Sequence, residues 1–426
     1  MPEPLIAPAG GIPELIENES QLELVVKEIL SGTGPIAIDA ERASGYRYSA
    51  RAYLIQIKRT GGGLHLIDPV AVGPTKLWKE LSDGVGDEEW IIHASTQDLA
   101  CLREVGIEPK IIFDTELGGR IAGCERVGLG PLTESLLEIT LAKEHSAVDW
   151  SLRPLRPEWL VYAALDVELL IELRDKVAHL LLEQGKLNWA MQDFAAILAA
   201  PANAPRQDPW RRTSGMHKVK DRTNLAIIRD LWFARDEYAR EIDLAPGRVF
   251  NDETLVEIAT KRPNGFGDFK KLISKRSRLK DGPYELWYSI FQRATELPLD
   301  QLPEGRVPSN ALPPVKIWEQ RNPLGYARIT HARAGVSQVA EDNAMPTENL
   351  ISPEPLRRLC WQQPPADSAN YAEFIESNLG ELGVRPWQIR LVKPVLEAAL
   401  GQTTPLVTEK ALDSQDNQEA EPGESD

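Results

Sequence analysis

Five side chains in the first half of the chain could do chemistry together: Asp39, Glu41, Asp98, Tyr162 and Asp166. Carboxylates gathered from distant segments repel one another and resist desolvation, so keeping them together calls for a multivalent cation. Mg²⁺ and Mn²⁺ are hard ions that prefer carboxylate oxygens and keep water ligands free for a phosphate. Four carboxylates suffice to seat two such ions. A pair about 4 Å apart activates a water and stabilises the departing 3′ oxygen in phosphodiester hydrolysis. A tyrosine one helical turn before the last acid is placed to orient that water through its hydroxyl.

The elements that must carry these residues are legible in the patterning. Pro35 to Asp39 reads as a short buried strand, and the two-residue step to Glu41 puts both acids on one face. Strands are also expected at Tyr53–Lys58 and Leu64–Ile67, joined by a hairpin around Gly61-Gly62-Gly63, so part of the sheet should be antiparallel. Further strands are expected at Trp90–His93 and Lys110–Phe113. Helices are expected at Glu14–Ile29, at Ser95–Val105 (closed by Gly106), after Asp114, and throughout the region from Leu132 onward. In that last region the four-residue step from Tyr162 to Asp166 keeps both on one helix face. Each piece has a plainer reading. Asp39 and Glu41 also fit a strand end, Ser95-x-x-Asp98 fits a capping box, and Tyr162 with Asp166 fits a helix-surface pair. Their joint occurrence favours a site.

The chain of 426 residues exceeds one typical domain. The expected organisation begins with a tail (1–11) and an α/β domain of mixed sheet flanked by helices (12–198). A Pro/Ala-rich linker (199–219) leads to a helical domain (220–297), and a proline-rich linker (298–312) to a second helical domain (313–400). A disordered acidic tail (401–426) completes it. No stretch reaches the roughly 20 apolar residues a membrane span needs, and the N-terminus has no signal-peptide pattern. Cys101, Cys124 and Cys360 fit no metal-ligand spacing and read as buried thiols in a reducing compartment, so a cytoplasmic protein is expected. The net charge of −16 speaks against a phosphate-rich partner. However, residues 201–290 carry 18 Lys and Arg against 13 Asp and Glu, while the last 26 residues hold seven acids and one lysine.

The motifs Asp39-Ala-Glu41, His93-(x)4-Asp98 and Tyr162-(x)3-Asp166 resemble the three exonuclease motifs of the DEDD superfamily. Val161, where the histidine-bearing subclass has its histidine, points to the tyrosine-bearing one. More narrowly, the α/β region resembles the ribonuclease D family. Leu54-Ile-Gln56, His65-Leu-Ile-Asp68-Pro69, Phe113-Asp114-Thr115 and Asp149-Trp150-Ser-Leu-Arg153-Pro154 carry that likeness. Trp232-Phe-Ala-Arg235, Ala239, Pro246 and Leu255-(x)2-Ile258-Ala259 resemble an HRDC domain, although the usual Trp-Arg pair reads Trp232-Phe233. By position, the last helical region would be a second HRDC-like domain, giving an RNase H-like exonuclease domain followed by two small all-α domains.

The resemblance implies a 3′→5′ exoribonuclease that releases nucleoside 5′-monophosphates from RNA 3′ ends, with tRNA precursors as substrate. Two Mg²⁺ or Mn²⁺ ions would sit on Asp39, Glu41, Asp98 and Asp166, with Tyr162 positioning the water. Lys143 would contact a phosphate near the cleavage site, with Ser146 close by in the same segment. Tyr46, Tyr48 and Arg51 would stack on and grip a single-stranded 3′ end. Lys270, Lys271, Lys275 and Arg276 would give the HRDC domain a nucleic-acid contact. Two rivals stay open: a DNA exonuclease of the same subclass, and a non-catalytic RNA-binding scaffold.

Overall fold

The computed structural model describes residues 2–141, 148–201, 206–279, 281–305 and 311–406; Lys143, Ser146, Lys280 and nearly all of the acidic tail lie outside them. The chain divides into two compact units. One comprises Met1–Thr115, Leu129–Arg174 and Ile197–Pro308; the other comprises Glu116–Gly128, Asp175–Ala196 and Ser309–Asp426.

The strands are β1 (Glu3–Leu5), β2 (Leu15–Ile16), β3 (Thr33–Arg42), β4 (Ala52–Thr60), β5 (Gly63–Ile67), β6 (Trp90–Ile92), β7 (Ile112–Asp114) and β8 (Ile139–Leu141). Six of them form one mixed sheet in the order β2-β5-β4-β3-β6-β7. β4 pairs antiparallel with β3 on one side and β5 on the other, whereas β6 and β7 run parallel to β3. The hairpin between β4 and β5 turns where expected, with Gly61 at φ 74° and Gly63 at φ 80°, conformations closed to most side chains. β3 lies inside the sheet, and Ile36, Ala37 and Ile38 are fully buried in succession. Such an unbroken apolar run marks a strand covered on both faces.

Two local expectations change. The helix expected over Glu14–Ile29 begins later, at Glu19, because Asn18 caps it by accepting a hydrogen bond from Gln21 N. Leu15 and Ile16 join the sheet as β2 instead, paired with Leu66 and Ile67. Within the expected N-terminal tail, Glu3–Leu5 pairs in parallel with Ile139–Leu141 as a separate ribbon.

The HRDC-like region packs the helices Arg222–Glu241, Asp252–Lys261, Phe266–Ser274 and Tyr284–Thr295 around Trp287, Phe250, Phe269 and Phe291. In the other unit the helices Pro323–Asp342, Pro353–Trp361, Tyr371–Glu381 and Pro386–Leu400 pack with the segments 116–128 and 175–196. Trp387 stacks flat on Trp189 (ring centroids 4.9 Å apart) and donates its indole N–H to Asp193 at 3.0 Å. The buried Lys186 donates to the carbonyls of Ile121 (3.0 Å) and Asn343 (2.5 Å).

Candidate active site

Asp39 and Glu41 are presented side by side by the two-residue period of β3, opposite Gln56 and Leu54 of β4. The helix Pro157–Glu168 opens with proline, whose missing N–H costs nothing at a first turn. It buries Trp159, Ala163, Ala164, Leu165 and Val167 and packs on β3, β4 and β5. Fully buried alanines let the helix lie close to the sheet, which brings Tyr162 and Asp166 to the strand acids. One carboxylate oxygen from each of Asp39, Glu41 and Asp166 falls within 4.8 Å of the others. Tyr162 lines the same open cleft of about 240 Å³.

Asp98 reaches this cleft from a short 3-10 turn, Ser95–Gln97, that precedes the helix Leu99–Val105. The turn is anchored by Asp114, which accepts hydrogen bonds from Ala94 N (3.2 Å), Ser95 N (2.8 Å) and Ser95 Oγ (2.7 Å). His93 Nδ1 lies 2.9 Å from Thr115 Oγ1, tying the residues before the turn to the end of β7. The alternative reading of Ser95-x-x-Asp98 as a capping box is not met. Ser95 gives its hydroxyl to Asp114, and the Asp98 side chain caps no helix. Asp98 instead lines the cleft with Asp39 and lies 3.2 Å from the Arg42 guanidinium.

Burial raises all four acids, and repulsion between carboxylates adds to the rise at Glu41, Asp98 and Asp166. Desolvation is the first cause for all four. It raises Asp39, and it pushes Asp98 from 3.8 up to about 8 with the Asp39 charge as the next contributor. Glu41 rises well above the ordinary range through burial and then the charges of Asp39, Asp166 and Asp98. Asp166 rises likewise, through burial and then Asp39. Arg42 opposes the rise at Asp39, Glu41 and Asp98. Burial, then Asp166, keeps the Tyr162 phenol protonated far above its ordinary range. Half-buried, converging, oxygen-only ligands fit a divalent cation of the Mg²⁺ or Mn²⁺ kind, whose charge would offset theirs.

The other expected site residues are placed differently. Tyr46, Tyr48 and Arg51 form the loop between β3 and β4, and the HRDC-like helices dock on that loop. Arg248 stacks over the Tyr46 ring at 4.0 Å and donates to Gly45 O, while Ala245 N donates to Tyr46 O. Tyr48 donates its hydroxyl to Asp236 and lies under Arg240. Asp243 accepts from Ser49 N and Tyr53 OH and lies 3.6 Å from Arg51. In the HRDC-like region Lys271 and Lys275 are exposed, Lys270 lies over Phe266 and Tyr284, and Arg276 is paired with Glu253 and Glu257. Trp150 is fully buried, between Trp159 and Tyr162 at centroid distances of 5.6 and 6.4 Å. Asp114, Arg42 and Asp243 carry roles that the residue patterns did not single out, although Asp114 lies in the Phe113-Asp114-Thr115 likeness.

Comparison with known proteins agrees with this architecture. Residues 13–182 match the family described as 3′-5′ exonuclease, residues 224–283 the HRDC domain, and residues 311–400 the 3′ to 5′ exonuclease C-terminal domain. The last helical region is thus matched by a description of its own. Ribonuclease D of Acidiphilium cryptum is 28% identical over 284 residues, spanning 65% of this chain and 68% of that protein. The crystal structure of a protein from Bifidobacterium adolescentis is 37% identical, with a TM-score of 0.86 over 94% of this chain and 100% of that one. Escherichia coli RNase D, an exoribonuclease involved in structured RNA processing, shares the fold at 23% identity, with a TM-score of 0.61 over 91% of this chain and 98% of that one. Among the described residues no helix is long and apolar enough to cross a membrane.

Proposed function

We propose that this chain, which belongs to the DEDD 3′-5′ exonucleases carrying an HRDC domain, is a cytoplasmic exoribonuclease that releases nucleoside 5′-monophosphates from RNA 3′ ends, tRNA precursors among them. The convergence of Asp39, Glu41 and Asp166 within 4.8 Å, with Tyr162 beside Asp166, carries the reading. Asp39, Glu41, Asp98 and Asp166 would hold two divalent ions, which when bound supply an activated water and stabilise the leaving 3′ oxygen.

The chain's own residues do the rest. Burial and then the Asp166 charge push the Tyr162 phenol upward, so its neutral hydroxyl would orient the attacking water and not serve as a phenolate base. Asp114 fixes the turn that delivers Asp98. Lys143 and Ser146, in the segment before the third motif, are proposed to contact the phosphate near the cleavage site, and Lys270, Lys271, Lys275 and Arg276 to meet the strand further along.

RNA is favoured over DNA by the HRDC domain and by the ribonuclease D relatives. The test compares labelled single-stranded RNA and DNA of one sequence with Mg²⁺, Mn²⁺ or EDTA. RNA shortened one nucleotide at a time from its 3′ end, and halted by EDTA, is expected. Preference for DNA would move the assignment to the DNA exonucleases. Strand binding with no hydrolysis under any metal would make the chain a scaffold.

A further inference from the structure

We propose that Gln56 is a positioning residue: its buried carboxamide holds the Asp39 carboxylate toward a bound divalent cation, at a standing cost to the metal-free fold. This inference rests on the metal-dependent reading above.

Gln56 stands directly opposite Asp39 in the antiparallel β3–β4 ladder and opposite Leu66 of β5. Directly opposed residues share a face, with Cβ atoms about 4.5–5.5 Å apart, a gap that a glutamine amide spans to reach an aspartate carboxylate. Much of the surrounding face is apolar. Leu54, two residues earlier on β4, and Leu66 pack with Trp159, Ala163 and Ala164 of the helix Pro157–Glu168. Lys58, the next β4 residue on this face, is committed to Glu168, whose Oε2 lies 3.3 Å from its Nζ and whose carbonyl accepts from it. Gln56 itself is 0% exposed, and neither its Nε2 nor its Oε1 has a hydrogen-bond partner among the described residues.

A buried amide without partners is destabilising, and an apolar side chain of the same length would fill that space without the cost. Its presence in an otherwise apolar setting points to work done at a neighbouring site. Asp39 is the polar side chain that Gln56 faces across the ladder, and it is one of the three acids that converge. A carboxylate has more lone pairs than one ion uses, and a ligand left free to turn binds weakly. A hydrogen-bond donor on the unused lone pairs fixes its orientation, as the outer partners of metal-ligating carboxylates do. An amide suits the task because it is neutral. It steadies the acid and leaves intact the charge that attracts the cation, whereas a lysine or arginine would compete with that cation.

The test compares the full chain with the variant Gln56→Met, which keeps an unbranched side chain of similar length and removes both amide groups. Thermal melts in EDTA read the metal-free fold, and Mn²⁺ titrations followed by electron paramagnetic resonance read the site. The variant should melt at the wild-type temperature or above it, and should bind Mn²⁺ about 10–100-fold more weakly. Gln56→Leu repeats both measurements should the methionine variant fail to fold. Unchanged Mn²⁺ affinity, or a clearly lower melting temperature in EDTA, would make Gln56 a packing residue and overturn the inference, while the metal-dependent reading stands. Failure of the wild type itself to bind Mn²⁺ would overturn both.

Discussion

Tyr162 stands one helical turn before Asp166, and the two line one cleft with Asp39 and Glu41, whose carboxylates converge with that of Asp166. The ring is fixed from behind by Trp150. Replacing Tyr162 with phenylalanine keeps that packing and removes only the hydroxyl. Tyr162→Phe should lower kcat on the order of 100-fold while Mn²⁺ binding stays unchanged. Single-turnover hydrolysis of a labelled RNA measures the first, and a metal titration the second. An unimpaired rate would remove Tyr162 from the mechanism.

Asp166→Asn separates chemistry from folding. Hydrolysis should fall by at least about 10²-fold, because a ligand for the ions that stabilise developing charge is lost. In EDTA the variant should melt at or above the wild-type temperature, since a carboxylate repelled by Asp39 in a buried setting has been replaced by a neutral isostere. A clearly lower melting temperature would show that the acid serves the fold.

The raised acids also fix the sign of a pH effect. Asp98 moves from 3.8 to about 8, and Asp39, Glu41 and Asp166 are raised as well. Between these limits the folded chain holds protons that the unfolded chain has released. Metal-free stability is therefore fully retained below about pH 4 as far as these groups are concerned, and lost as pH rises toward 8. The slope is about 1.4 kcal/mol per pH unit for each extra proton held. Denaturant titrations in EDTA from pH 5 to 8 should show stability falling across the range, and saturating Mn²⁺ should flatten the fall. A rise with pH in EDTA would contradict the protonated cluster.

Asp243 is expected to matter without touching the cleft. It accepts from Ser49 N at 2.8 Å and Tyr53 OH at 3.3 Å, holding the loop that begins just after Arg42. Asp243→Ala leaves those donors without their acceptor, at a cost of about 1–3 kcal/mol. Limited trypsin digestion should then cut faster after Arg47 and Arg51. Unchanged cleavage would mean that the loop is held by Arg248 and Asp236 alone.

The site was largely legible because its acids follow the two shortest periods in protein structure. A two-residue step on a strand gave Asp39 with Glu41, and a four-residue step on a helix gave Tyr162 with Asp166. What escaped depends on partners remote in sequence or on broken periodicity. The Tyr48–Asp236 hydrogen bond joins residues 188 positions apart, so nothing local distinguishes a docking tyrosine from one that grips a strand. Asp114 acts on backbone N–H groups about twenty residues earlier, which residue types do not reveal. Arg42 was hidden because strand alternation sets it on the face opposite Glu41, yet it lies 3.2 Å from Asp98. The three-residue pairing of β1 with β8 is too short to carry a pattern.

The single strand that carries both Asp39 and Glu41 has a consequence for how this protein tolerates change over evolutionary time. Substitutions along β3 adjust packing by degrees, but inserting or deleting one residue between Ile36 and Asp39 would send both acids to the opposite side of the sheet. No intermediate register exists for selection to work on. Length variation should therefore be confined to loops such as the one after Arg42, while the stretch from Ile36 to Glu41 drifts in composition at fixed length.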